Sequence, residues 1–266
     1  MANAGEAFKA GDLAAAVTSA QAAVKAAPRD SGARWLLAEL MLFAGDAERA
    51  DRMLDAAVLD EPSPAVLEFR KLLRAEVIRQ QVWNDGRAPK FSGDDATPAQ
   101  SAAVRAAVLA RAGAAEEAAA EALSAEDLRP KRAGTAELAD GTTLSFDDFR
   151  DADDLFAPMV EVLTTNGDHL LVPVERVASL EFDAPRRPRD LAWRRTAIDL
   201  RDGTEGVVYM PSIYPAPLGE PDPVRLGRVT EWDDTCGPVR GRGQRMFLIG
   251  DEAVGLCDLA SIRFTE

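Results

Sequence analysis

The chain has 266 residues and a formal net charge of −14, with 47% hydrophobic residues, one His and two Cys. That length suits one large domain or two modest ones, and either can bury a core. The acidic balance argues against nucleic acid and against an anionic membrane surface as partners, because both recruit Lys and Arg. A single His and two Cys exclude most metal-ligand sets.

The N-terminal stretch has no basic segment followed by an apolar run of signal-peptide type, and no stretch of about 18 apolar residues occurs. A cytoplasmic location is therefore expected. Cys236 and Cys257 form no CxxC pair and read as two buried or half-buried thiols.

Residues 1–130 are Ala-rich and almost free of β-branched runs. They carry an internal repeat: a Gly, an Ala five residues on, an Ala twelve on and a Pro seventeen on. Gly11, Ala16, Ala23 and Pro28 fit it, as do Gly45, Ala50, Ala57 and Pro62, and Gly113, Ala118, Ala125 and Pro130. The first two copies start 34 residues apart and the third 68 later. Each Gly ends one helix, Asp12 and Asp46 can cap the next, and the paired Ala share one helix face. The coarse reading places helices at 3–10, 13–27, 31–43, 47–60, 64–83, 98–112 and 114–123. The pattern resembles the tetratricopeptide repeat, a 34-residue helical hairpin. It departs from that repeat in the first helix of each unit, where Trp35, Leu37 and Ala38 are the nearest equivalents of the usual aromatic and Gly.

From about residue 143 the composition changes to short Val, Ile, Leu and Phe runs with most of the Pro and Gly. Phe146–Phe156 reads as an acidic helix with Ser145 as its cap. Its Asp147, Asp148, Asp151, Asp153 and Asp154 read as a solvated acidic face. The other main reading makes them a docking site for the basic link at Arg186, Arg187 and Arg189, and Mg²⁺ binding is a lesser one. Strands are expected at 159–165 and 169–174 around the Asn166-Gly167 turn, then at 177–182, 192–200, 207–211, 224–232, 245–249 and 260–264. His169 reads as a strand-surface residue. Gly237–Gln244 reads as a loop between strands. Its arginines could meet an acidic surface, and it lacks the ending of a phosphate loop. Trp193, Tyr209, Tyr214, Trp232 and Phe247 read as core and edge-strand aromatics.

The expected architecture is multidomain: TPR-like helical hairpins over 1–130, then a β-rich α+β domain over 143–266. No GxSxG, HExxH, GxxxxGK[ST] or GxGxxG motif occurs. The residues therefore point to a non-enzyme without cofactor or metal. On the helix beginning near residue 31, Trp35, Glu39 and Leu42 share one face and form a candidate partner-binding surface. The net negative charge would favour a basic amphipathic helix there.

The second half resembles the ImpE family, also called TagJ or SciE-type. The resemblance rests on Asp151-Ala-Asp-Asp-Leu-Phe-Ala-Pro-Met-Val-Glu-Val-Leu, Val172-Pro-Val-Glu, Pro188-Arg-Asp-Leu-Ala-Trp-Arg-Arg, Met210-Pro-Ser-Ile-Tyr-Pro, Leu226-Gly-Arg-Val-Thr-Glu-Trp and Gly241-Arg-Gly-Gln-Arg-Met-Phe-Leu. These segments cover nearly all of 146–250. The chain departs from the family at His169-Leu-Leu, where an aromatic pair often precedes the Val-Pro. The resemblance implies a cytoplasmic, non-catalytic accessory protein of bacterial type VI secretion. It implies binding to the N-terminal helix of the small sheath subunit, and a link to the ATPase that recycles contracted sheath. The alternative is a generic TPR-like scaffold of another complex.

Overall fold

Helices fill the first half of the computed structural model, which describes residues 3–60, 63–93, 95–217 and 219–265. They are α1 (Ala4–Ala10), α2 (Leu13–Ala26), α3 (Ser31–Phe43), α4 (Ala47–Asp60), α5 (Pro64–Gln80), α6 (Pro98–Arg111) and α7 (Ala115–Leu128). Gly11, Gly45 and Gly113 each take positive φ (89°, 73° and 78°), the left-handed turn that closes one helix and admits the next. The Asp12 and Asp46 carboxylates accept the Ala15 and Arg49 N–H groups. Ala16, Ala50 and Ala118 are fully buried where helices touch, which a larger side chain would prevent. The Gly and the first Ala of the repeat thus mark turns and helix contacts in all three copies, whereas the second Ala is buried at Ala125 and exposed at Ala23. Pro62 and the side chain of Ala57 lie outside the described residues.

Two helix ends differ from expectation. After α5 the chain widens into one π-helical turn, Gln81–Asp85, which carries Trp83 into the second half of the molecule. Helix α7 runs to Leu128, past the expected end at 123, because its Ala118, Ala122 and Ala125 face remains buried to the last turn.

The strands are β1 (Gly134–Leu138), β2 (Thr143–Phe146), β3 (Phe149–Asp151), β4 (Met159–Thr164), β5 (His169–Pro173), β6 (Val177–Phe182), β7 (Trp193–Leu200), β8 (Glu205–Pro211), β9 (Thr230–Asp233), β10 (Arg240–Gly243), β11 (Met246–Ile249), β12 (Glu252–Gly255) and β13 (Leu259–Phe264), with a helical turn α8 (Asp222–Arg225) before β9. Eight form one antiparallel sheet in the order β2-β1-β13-β6-β7-β8-β4-β5. A three-stranded sheet, β12-β11-β3, packs with it around Phe149, Phe247, Leu180 and Ile262. The pair β10-β9 stands apart.

Residues 146–156 form no helix. They end β2, form β3 against β11, and turn through 152–158. The acidic run is not a solvated face, for Asp151 and Asp153 are fully buried. The Asp151 carboxylate accepts from the Asp153 N–H, Tyr214 Oη and Arg245 Nη1. Asp153 accepts from the N–H groups of Leu155 and Gly241 and from Arg240 Nε. Carboxylates that bind backbone N–H groups of turns compete with helix, and here they win. Residues 224–232 divide into α8 and the short β9, and the expected loop at 237–244 contains β10. Cys236 is exposed, not buried, and Cys257 is partly buried.

The helical half and the sheets share a core. One apolar cluster joins Phe8, Leu40, Leu54 and Phe69 of the helices to Leu163, Trp193, Tyr209 and Leu226. A second joins Trp83, Ala103 and Ala125 to Phe156, Met159, Leu171 and Tyr214.

Candidate functional site

Helix α3 begins at Asp30, whose side chain accepts the Ala33 N–H. Its next turns bring Trp35 and Glu39 to one face, and Trp35 Nε1 donates to Glu39 Oε1 at 2.9 Å. Trp35 packs on Phe69 of α5, centroids 5.3 Å apart, and Phe69 packs on Trp193 at the start of β7. Glu39 is 1% exposed. An anion so placed needs a cation.

The cation arrives from the other half of the chain. The β6–β7 connection, residues 183–192, crosses to α3 as a strap. The Asp190 carboxylate accepts the N–H groups of Arg186 and Arg187 and tightens a short 3₁₀ turn, Pro188–Leu191. Arg194, at the foot of the strap, donates to the carbonyls of Asp183, Cys257 and Leu259. So held, the Arg187 guanidinium lies 4.5 Å over the Trp35 ring and pairs through Nε with Glu39. Arg189 lies 5.3 Å from Trp35 and 4.9 Å from Phe69, and its Nε and Nη1 are buried without a hydrogen bond among the described residues. Burial pushes the Glu39 carboxyl up, and Arg187, the Trp35 N–H and Arg189 only partly offset it, so it stays above the usual carboxylate range.

Between α3 and the strap opens a cleft of about 510 Å³. Trp35, Leu36, Leu54 and Val66 supply its apolar walls, and Arg186 and Arg187 its rim. Gly32 and Leu36 also line a second hollow of about 400 Å³, floored by Ala4, Ala20, Ala23 and Ala33 of α1–α3. The two hollows share Gly32 and Leu36 of α3 as lining residues.

The sequence reading brought Trp35, Glu39 and Leu42 together, and the structure separates their parts. Trp35 is half-buried and lines the cleft. Glu39 lines it too, but its carboxylate is spent on Trp35 and the strap. Leu42 is buried in the helical core and does not line the cleft. The alternative reading, in which the basic link docks on the acidic run, does not hold for Arg187, which meets Glu39 instead. The signal was present: an i, i+4 Trp–Glu pair on an apolar helix and an Arg-Arg-Pro-Arg link each lacked a partner.

His169 is 1% exposed, not on the strand surface. Its Nε2 donates to Glu161 at 2.8 Å. Glu161 also accepts from Arg79, Trp83 and Arg245, and Arg79 in turn reaches Glu76, which accepts from Trp193. This network joins α5 to β4, β5 and β7. It is closed to solvent and reads as a structural joint. Among the described residues, no group of three or more His, Cys, Asp or Glu side chains could hold a metal ion.

A Pseudomonas aeruginosa protein described as type VI secretion system accessory component TagJ is 30% identical over 97% of this chain and 90% of its own length. The chain belongs to the ImpE/TagJ family. The ImpE protein model matches residues 143–263, and a tetratricopeptide repeat model matches residues 7–73. The crystal structure of a Vibrio parahaemolyticus protein superposes with a TM-score of 0.89 at 27% identity, covering 99% of this chain and 97% of that one. The cleft thus lies where the repeat portion meets a segment of the ImpE portion, and both portions contribute walls.

Proposed function

We propose that this chain is a non-catalytic accessory protein of the bacterial type VI secretion system, working in the cytoplasm. In this reading it binds the N-terminal helix of the small sheath subunit through its helical repeats and so links the sheath to the ATPase that recycles it. Membership of the ImpE/TagJ family supports the setting. The observation that carries the binding mode is the cleft between α3 and the strap, with its apolar walls of Trp35, Leu36, Leu54 and Val66, beside a second hollow lined by α1–α3. Helical repeats commonly present such surfaces to a peptide or helix. An amphipathic helix would lay anchors at i, i+3, i+4 and i+7 along it, with one anchor against Trp35. No described helix is long and apolar enough to cross a membrane.

Calorimetric titration with a peptide of the small sheath subunit's N-terminal helix tests the reading. Saturable one-to-one binding at micromolar affinity or better is expected. Trp35→Ala should weaken it about thirtyfold with the helical circular dichroism intact, the cost of truncating an aromatic anchor of about 2 kcal/mol. No heat at several temperatures, with a helical peptide and folded protein, would overturn the reading in favour of a scaffold for another complex.

A further inference from the structure

The whole chain is strongly acidic, yet the described charged groups on the rim of the cleft are arginines. Arg186 and Arg187 both line it and are exposed. The one carboxylate in the lining, Glu39, is 1% exposed and already takes Trp35 Nε1 and Arg187 Nε. The guanidinium of Arg186 has no hydrogen bond or ion pair among the described residues, since its only bond is the backbone N–H to Asp190. Among the described residues Arg187 engages only Nε of its three nitrogens, its side chain is 39% exposed, and it lies over the ring of Trp35. Arg189 adds a third guanidinium behind them, in a long ion pair with Asp190 at 3.8 Å and with two buried nitrogens lacking a hydrogen bond among the described residues. Asp190, the strap's own carboxylate near this end, is turned inward onto the two backbone N–H groups. A guanidinium held over an aromatic ring, with its outer nitrogens unbonded among the described residues, is preorganised to take a carboxylate.

We infer that the cleft selects an amphipathic helix with acidic residues along one flank. Its apolar face rests on Trp35, Leu36, Leu54 and Val66, and a Glu or Asp of that flank meets Arg186 and the free side of Arg187. This rests on the reading of the cleft as the docking surface. It reverses the partner charge that the net charge alone would favour, because a rim interacts with what lies within about a Debye length and the remainder is screened.

Two synthetic helical peptides with one apolar face, flanked by Glu in the first and by Lys in the second, test the inference by calorimetry at low and physiological salt. The Glu-flanked peptide should bind about tenfold tighter, the sum of modest pairs at two arginines gained in one peptide and opposed in the other. The preference should shrink with salt. Arg186→Glu, a change at an exposed side chain, should reduce or invert it while leaving the circular dichroism unchanged. Equal affinity, tighter binding of the Lys-flanked peptide, or a preference untouched by Arg186→Glu would overturn the inference. The sheath-helix peptide is titrated alongside. Its binding with no Glu-over-Lys preference leaves the adaptor reading standing and removes the acidic flank. A Glu-over-Lys preference without sheath-helix binding keeps the cleft chemistry and removes the sheath.

Discussion

Glu161 is held by Arg79, Trp83, His169 and Arg245 in a site that water does not reach. Burial pushes its carboxyl up, but Arg79, Arg245 and His169 pull it further down, so it sits well below the usual carboxylate range. A carboxyl lowered in the folded state stabilises the protein above its unfolded value, about pH 4.3, and that stability is lost as pH falls below it. Glu161→Gln should therefore flatten the fall in unfolding free energy between about pH 5 and pH 3. It should also cost about 3–5 kcal/mol at pH 7, because it leaves two buried arginines short of an anion. Denaturant unfolding across that pH range checks both. A milder contrast is expected at the strap. Arg187→Ala strands Glu39 beneath a half-open rim and should cost about 1–3 kcal/mol, whereas Arg186→Ala should stay within about 0.5 kcal/mol. Sequence spacing placed Trp35 and Glu39 on one face, because helical periodicity is local. It could not supply Arg187, 148 residues from Glu39 in sequence, or the burial of His169 and Asp151, because those depend on which strands pair.

At the scale of elements, helices followed from pattern more faithfully than strands. The Gly and the first Ala of the spacing mark where helices turn and where they touch, and both are properties of neighbouring sequence; the second Ala does so at Ala125 but not at Ala23, which is exposed. Strands β1, β2, β10 and β12 lacked strong local signals: β10 is Arg-Gly-Arg-Gly and exists because it pairs with β9. The acidic run reads as a helix until its carboxylates find Arg240, Arg245 and Tyr214. The β9–β10 hairpin turn shows how tightly such an element can be seated. Gly237 has φ +101°, and an added Cβ would stand 2.1 Å from the Ala115 carbonyl oxygen of α7. Gly237→Ala should cost about 1–3 kcal/mol through strain and lost seating. Hydrogen exchange should show faster exchange in β9–β10 and the first turn of α7, with the eight-stranded sheet unchanged.

The whole molecule is divided by composition but not by packing. Phe69, Trp83 and Arg79 of the helical half are buried against Trp193, Phe156 and Glu161 of the sheets. A single cooperative thermal transition is expected by calorimetry, with calorimetric and van't Hoff enthalpies agreeing. Two resolved transitions would mean that the shared clusters contribute little. This joint also places the strap. Because β6 and β7 are fixed relative to α5, the β6–β7 connection reaches α3 and lines the cleft. The two portions of this chain thus both line the cleft proposed as the docking surface.

The most direct test of that surface is hydrogen–deuterium exchange of the full chain, with and without a saturating peptide of the small sheath subunit's N-terminal helix. Protection should concentrate in α3, the N-terminal part of α5 and the strap at 186–191. Protection confined to the β9–β10 hairpin or the far edge of the sheet, with α3 and the strap unchanged, would contradict it.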